Sequence, residues 1–99
     1  MDQVDEVAEL FKALSDPTRL RLVKLLGQHH GALCVNALAH RLGVSQSAVS
    51  QHLRVLRQAR LVNGARHGYH VHYVLDLDRL QQYQAMVRQT LGKEFGFLE

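Results

Sequence analysis

A mainly helical fold with one small β-hairpin is what this sequence predicts, and two features carry the prediction. Apolar residues recur at helical spacing through most of the chain, and only between Leu61 and Leu75 does the period fall toward two. Capping residues then divide the helical part into four helices before the hairpin and one after it.

The first helix places Val4, Val7, Ala8, Phe11 and Leu14 on one stripe, with acidic residues opposite. Ser15-Asp16-Pro17 ends it. Asp16 is a good N-cap and Pro17 fits the first helical position, so a second helix is expected from about Pro17 to Leu26, closed by Gly27 to Gly31. Val35 to Leu42 reads as a short third helix burying Val35, Leu38, Ala39 and Leu42, and Gly43 supplies the left-handed residue that stops it. Ser45 caps a fourth helix, about Gln46 to Ala59, with Val49, Leu53 and Leu56 inside. Leu61–Arg66 and Tyr69–Leu75 are the expected strands, joined around His67-Gly68. Asp76 or Asp78 opens a final helix carrying Leu80, Tyr83, Val87 and Leu91, and Gly92 ends it. The tail Phe95-Gly96-Phe97-Leu98 is expected to pack on a dimer.

Ninety-nine residues make one domain, spanning 1–99, and a chain this short gains from dimerisation. No stretch nears the roughly 20 apolar residues that span a bilayer, the first residues are acidic, and Cys34 is the only cysteine. A cytoplasmic protein without a membrane partner is expected.

All nine Asp and Glu residues lie in the first 16 or last 24 positions, so Pro17 to Leu75 has no acidic side chain. That stretch holds Arg19, Arg21, Lys24, Arg41, Arg54, Arg57, Arg60 and Arg66 together with all seven histidines. A cationic surface without carboxylates has a polyanion as its natural partner. The third and fourth helices, separated by Gly43-Val44-Ser45, form a helix-turn-helix, a geometry that lays its second helix in the DNA major groove. The outer face of that helix shows Gln46, Ser47, Ser50, Gln51, Arg54 and Arg57. Amides and hydroxyls suit base edges, and Arg reads guanine or holds a phosphate.

The runs Leu10-Phe11-Lys12-Ala13-Leu14-Ser15-Asp16-Pro17-Thr18-Arg19-Leu20-Arg21, Leu33-Cys34-Val35-Asn36-Ala37-Leu38-Ala39 and Ser45-Gln46-Ser47-Ala48-Val49-Ser50-Gln51-His52-Leu53-Arg54-Val55-Leu56 carry a further indication. Together with Leu61-Val62 and Tyr73, over roughly positions 7 to 75, they resemble the arsenic-repressor (ArsR/SmtB) family of bacterial winged helix-turn-helix repressors. The resemblance implies a homodimer joined by its first and last helices, binding to operator DNA, and release by an inducer. It makes the helix opened by Ser45 the recognition helix and puts Arg66, His67 and Gly68 at the tip of the wing. Val7, Phe11, Leu14, Leu80, Tyr83 and Val87 are the residues expected at the dimer interface or in the core beneath it. The family usually has Gly where this chain has Arg60, which predicts a strained cap or a reshaped path into the wing.

The family's thiol sites resemble Cys-x-Cys at the start of the third helix, whereas Cys34-Val35-Asn36 has one thiol, too few for As(III) or a tight zinc site. Its carboxylate and histidine site on the last helix has no counterpart after Asp78. No cofactor is therefore required. Zn or Ni held by His29, His30, Cys34 and His40 stays open beside the alternative of polar loop residues around a small thiol. His70 and His72 share one strand face, either as a two-ligand metal pair or as the polar side of a wing strand. No nucleophile elbow, phosphate loop or paired carboxylates suggest an enzyme. Two rival readings remain: a constitutive DNA binder that has lost its sensor, and a small dimeric module whose basic face meets an acidic protein.

Overall fold

The computed structural model describes residues 1–29 and 31–92. His30 and the tail Phe95 to Leu98 lie outside the described residues. The order is α1 (Gln3–Leu14), α2 (Pro17–Gln28), β1 (Leu33–Cys34), α3 (Val35–Leu42), α4 (Gln46–Gln58), β2 (Val62–His67), β3 (His70–Leu75) and α5 (Leu77–Leu91). The three strands form an antiparallel sheet in the order β1-β3-β2.

Most helix ends follow from local chemistry. Asp16 Oδ1 accepts the backbone N–H groups of Thr18 at 2.8 Å and Arg19 at 3.1 Å, with Pro17 opening α2. Ser45 Oγ accepts from the Ala48 N–H at 3.0 Å to start α4, and Asp76 does the same for Arg79 in α5. Gly43 stops α3 at φ 67°, where a Cβ would be strained.

Four expectations are corrected. Leu33–Cys34 is a strand, with Leu33 opposite Tyr73 and Cys34 opposite His72, so the sheet exceeds a simple hairpin. Two residues cannot display a period, and their partner lies far along the chain. The helix α2 runs through Gly27 to Gln28. A Cβ at Gly27 would sit 3.3 Å from Leu75 Cδ1, so the glycine lets β3 approach the helix and does not break it. The hairpin turn is Gly68-Tyr69, one residue later than expected, which makes His67 the last residue of β2 and leaves Tyr69 fully exposed.

The stripe on α1 is also rotated. Val7, Leu10 and Ala13 are buried, with Leu14 half-buried, whereas Val4 is 62% and Phe11 41% exposed and Ala8 faces outward. Two apolar rows share this helix, and only one faces the chain's own core. The same division occurs on α5, where Tyr83 and Val87 are buried, Leu80 is half-buried and Leu91 is exposed. Val7, Tyr83 and Val87 accordingly belong to the core beneath the outer face.

The core joins Leu22, Leu26, Leu33, Leu38, Val49, Leu53, Leu56, Leu61, Val62 and Tyr73 from α2, α3, α4 and the sheet. Burying each large aliphatic side chain stabilises the fold by about 1.5–3 kcal/mol. Arg79 is buried as well, at 7% exposure: Nη2 donates to Glu6 Oε1 at 3.1 Å, Nη1 donates to Gln82 at 3.1 Å, and the guanidinium lies 4.2 Å from the Tyr83 ring centroid. Desolvation opposes that charge, but the bonds to Glu6 and Tyr83 overcome it and hold the Arg79 pKa above its ordinary value. No helix among the described residues is long and apolar enough to cross a membrane.

Candidate nucleic-acid interface

The helix α4 is amphipathic in the sense its sequence requires. Val49, Leu53 and Leu56 are buried, and Gln46, Ser47, Ser50, Gln51, Arg54 and Arg57 are all exposed on the opposite side. The two helices of the pair are tied at the outer surface, where Gln46 Nε2 donates to Asn36 Oδ1 at 3.0 Å.

The middle of α4 meets the start of α2 through polar side chains. His52 is half-buried, with Nδ1 3.4 Å from Arg19 Nη1 and Nε2 4.0 Å from Asp16 Oδ1. The Arg19 N–H is the main influence holding the Asp16 carboxyl below its usual range; desolvation opposes it, and Thr18, His52 and the Arg19 charge reinforce it. Arg19 also donates from Nε to the Ala13 carbonyl at 2.6 Å and from Nη2 to the Lys12 carbonyl at 3.3 Å. One of the eight central cations therefore caps the C-terminus of α1 and does not face outward. Charge counting alone had no means of separating it from the rest. Arg21, Lys24, Arg41, Arg54, Arg57, Arg60 and Arg66 are exposed.

The C-terminus of α4 carries the strained cap. Arg60 has φ 63°, the one positive-φ residue other than glycine among the described residues. Its N–H donates to the Arg57 carbonyl at 2.9 Å, and the Leu61 N–H donates to the Leu56 carbonyl at 2.9 Å. That pairing is the Schellman arrangement, with arginine in the place glycine usually takes, at a cost of about 1 kcal/mol. Tyr83 Oη donates to the Ala59 carbonyl at 2.9 Å, so α5 braces the same helix end.

Beside α4 stands the wing. Arg66, His67 and Tyr69 are exposed near its turn, and a cleft of about 580 Å³ separates it from the start of α4, lined in part by Asn36, Gln46, Ser50, Tyr69 and His70. Among the described residues no carboxylate lines it. The arrangement offers hydrogen-bonding side chains on one helix, flanked by Arg66 and the wing histidines on the hairpin beside it.

Among the described residues the metal candidates do not assemble. His29 follows the end of α2, Cys34 precedes α3 without capping it through its side chain, and His40 is exposed in the last turn of α3. Among the described residues no three His, Cys, Asp or Glu side chains already surround a metal position. The single thiol does not fit the soft-metal sites that the resemblance brings to mind.

Residues 16–64 match the family described as bacterial regulatory protein, arsR family. The chain is 49% identical over 75 residues to a transcriptional repressor SmtB homolog of Synechocystis, an alignment covering 76% of this chain and 55% of that protein. It thus spans about half the length of that relative. Its fold is similar to that of an ArsR-like transcriptional regulator from Rhodococcus, with TM-score 0.77 and 32% identity over 93% of this chain and 84% of that one. It is also similar to a homodimeric winged helix-turn-helix DNA-binding domain from Mycobacterium bovis, with TM-score 0.71 and 30% identity over 91% and 82% of the two chains.

Proposed function

The chain belongs to the arsR family of bacterial regulatory proteins, a family of regulators and not of enzymes, and on that premise we propose that it represses transcription as a cytoplasmic homodimer on operator DNA. The observation that carries the reading is the exposed, carboxylate-free face of α4 beside a wing that carries Arg66 and no carboxylate. Gln46, Ser47, Ser50, Gln51, Arg54 and Arg57 meet the major groove, and Arg66 with His67 meets the adjoining backbone. The chain acts as one winged domain whose terminal helices pair with a second copy. The outward row Val4, Ala8 and Phe11 supports that pairing, as does an apolar groove of about 240 Å³ between α1 and α5 lined by Leu10, Phe11, Leu14, Leu80, Tyr83, Gln84 and Val87.

Two recognition helices related by a twofold axis enter successive major grooves roughly 34 Å apart, so the operator is an imperfect inverted repeat. Gel-shift or anisotropy titration against the chain's own upstream region checks this. Preference for that region over random duplex at physiological salt is expected, with affinity falling steeply as salt rises. No preference would refute sequence-specific repression.

A second reading, a constitutive binder without a sensor, is supported by the lone thiol in Cys34-Val35-Asn36 and by the lack of ligands on α5 after Asp78. Zn or Ni at His29, Cys34 and His40 has only donor chemistry in its favour. Metal titration of the operator complex distinguishes a sensor from a constitutive binder.

A further inference from the structure

One titratable side chain of α4 takes no part in the proposed DNA contact. His52 follows Gln51 on the half-buried side of the helix, with Nδ1 3.4 Å from Arg19 Nη1 and Nε2 4.0 Å from Asp16 Oδ1. A guanidinium can only donate hydrogen bonds, so His52 Nδ1 accepts, and the proton of the neutral ring then sits on Nε2, toward the carboxylate. Neither neighbour is free to adjust. Arg19 is anchored from Nε to the Ala13 carbonyl at 2.6 Å and from Nη2 to the Lys12 carbonyl at 3.3 Å. Asp16 Oδ1 already accepts the N–H groups of Thr18 and Arg19 as the cap of α2, and the Arg19 N–H is the main influence that keeps this carboxyl below its usual range. The imidazole thus sits where the end of α1, the start of α2 and the middle of α4 meet.

We propose that His52 is a positioning residue for the recognition helix and acts only as the neutral imidazole, so that operator binding weakens when the ring takes up a proton. The inference rests on the proposed DNA reading. An added proton goes to Nδ1, the atom that accepts from Arg19, and turns that acceptor into a donor facing a donor. The new charge meets a cation at 3.4 Å and an anion at 4.0 Å, so repulsion and attraction largely cancel and the lost hydrogen bond decides. Arg19 is fixed to the end of α1, so the ring is the part that turns, and it carries the change into α4 beside Gln51. Among the described residues, the other charged groups at this joint are Asp16 and Arg19 of α2, with Glu9 and Lys12 of α1 lining a cavity of about 220 Å³ together with Arg19. On α4 itself Ala48, Val49, Val55 and Leu56, the helical neighbours of His52, carry no charge. Carboxylates, lysine and arginine ordinarily keep their charge between about pH 5 and pH 8, whereas histidine changes its own there.

Two measurements on the full chain test this. Nitrogen NMR of the isotope-labelled protein without DNA reads the tautomer: the Nε2–H form is expected at about pH 8, with backbone shifts at Gln51 and Arg54 that follow the titration of His52. The Nδ1–H form, or titration of His52 without a response in α4, overturns the proposal. Anisotropy titration then compares the wild type with His52→Asn, whose amide oxygen can accept from Arg19 but takes up no proton. Between about pH 8 and about pH 5 the wild type should lose about ten-fold more affinity for its preferred duplex than the variant does, as expected for one hydrogen bond to a charged group. The wing histidines gain charge over the same interval in both proteins, so the comparison isolates His52. Equal pH profiles overturn the positioning role. Circular dichroism checks that both proteins stay folded, and the NMR measurement on the wild type alone decides the matter if His52→Asn does not fold. Lack of any duplex preference at about pH 8 would instead refute the DNA reading beneath, and the DNA-free measurement would still decide the joint.

Discussion

The outer face of α4 and the outer face of the α1–α5 pair are both left uncovered by the other described residues, yet they are chemical opposites. On α4 the exposed residues are amides, hydroxyls and guanidiniums, and the chain withholds every carboxylate from them. On the terminal helices Val4, Phe11, Leu77 and Leu91 are exposed, while the acids sit around them and one, Glu6, is drawn inward to Arg79. A hydrated polar face gains by exchanging counterions for phosphate, so its binding depends on salt. An apolar face gains by leaving water, so its association is nearly indifferent to salt. On the proposed reading, their separation lets one chain hold DNA and a second copy without either competing for the other's surface.

The largest expected effect breaks the apolar side. Phe11→Glu places a charge in the α1–α5 groove and should weaken self-association by about 3 kcal/mol, more than a hundred-fold, while leaving the monomer folded because Phe11 is outside the core. Sedimentation equilibrium at two salt concentrations reads this, and an unchanged dimer would show that another face joins the copies.

The polar side separates into reading and holding. Gln51→Ala should cost about 1–3 kcal/mol on the preferred operator and much less on random duplex, whereas Arg66→Ala should weaken all duplexes alike. Equal losses on every sequence for both variants would mean that the base-reading residues lie elsewhere on α4.

The smallest effect concerns the joint between the two regions. Arg60→Gly relieves the left-handed cap where Tyr83 of α5 grips the end of α4, and should raise stability by about 1 kcal/mol in urea unfolding. A loss of stability would instead show that the Arg60 side chain contributes more than its backbone costs.

Much of this was legible from short spacings. Asp16 and Ser45 cap the helices they precede, Asp76 rather than the alternative Asp78 caps α5, and Gly43 and Gly92 end the helices they follow, because caps are contacts between residues a few positions apart. The outer residues of α4 were legible for the same reason, since a 3.6-residue period assigns faces without knowing what covers them. The left-handed Arg60 is one of the two outcomes expected from the glycine it replaces, the other being a reshaped path into the wing.

Other features belong to the tertiary structure alone. Leu33–Cys34 is a strand only because Tyr73 and His72 lie alongside, and the use of Gly27 within α2 is plain only once Leu75 is seen packed against it. Nothing near Arg79 in sequence foretells its burial, which depends on Glu6 arriving from the other end of the chain. The apolar row of α1 that turns inward, and the gathering of His67 with His70 and His72, were likewise set by packing and strand register. Local order follows from hydrogen bonds and side-chain period within a turn or two, whereas these outcomes required distant segments to meet, and only the folded chain decides which segments do.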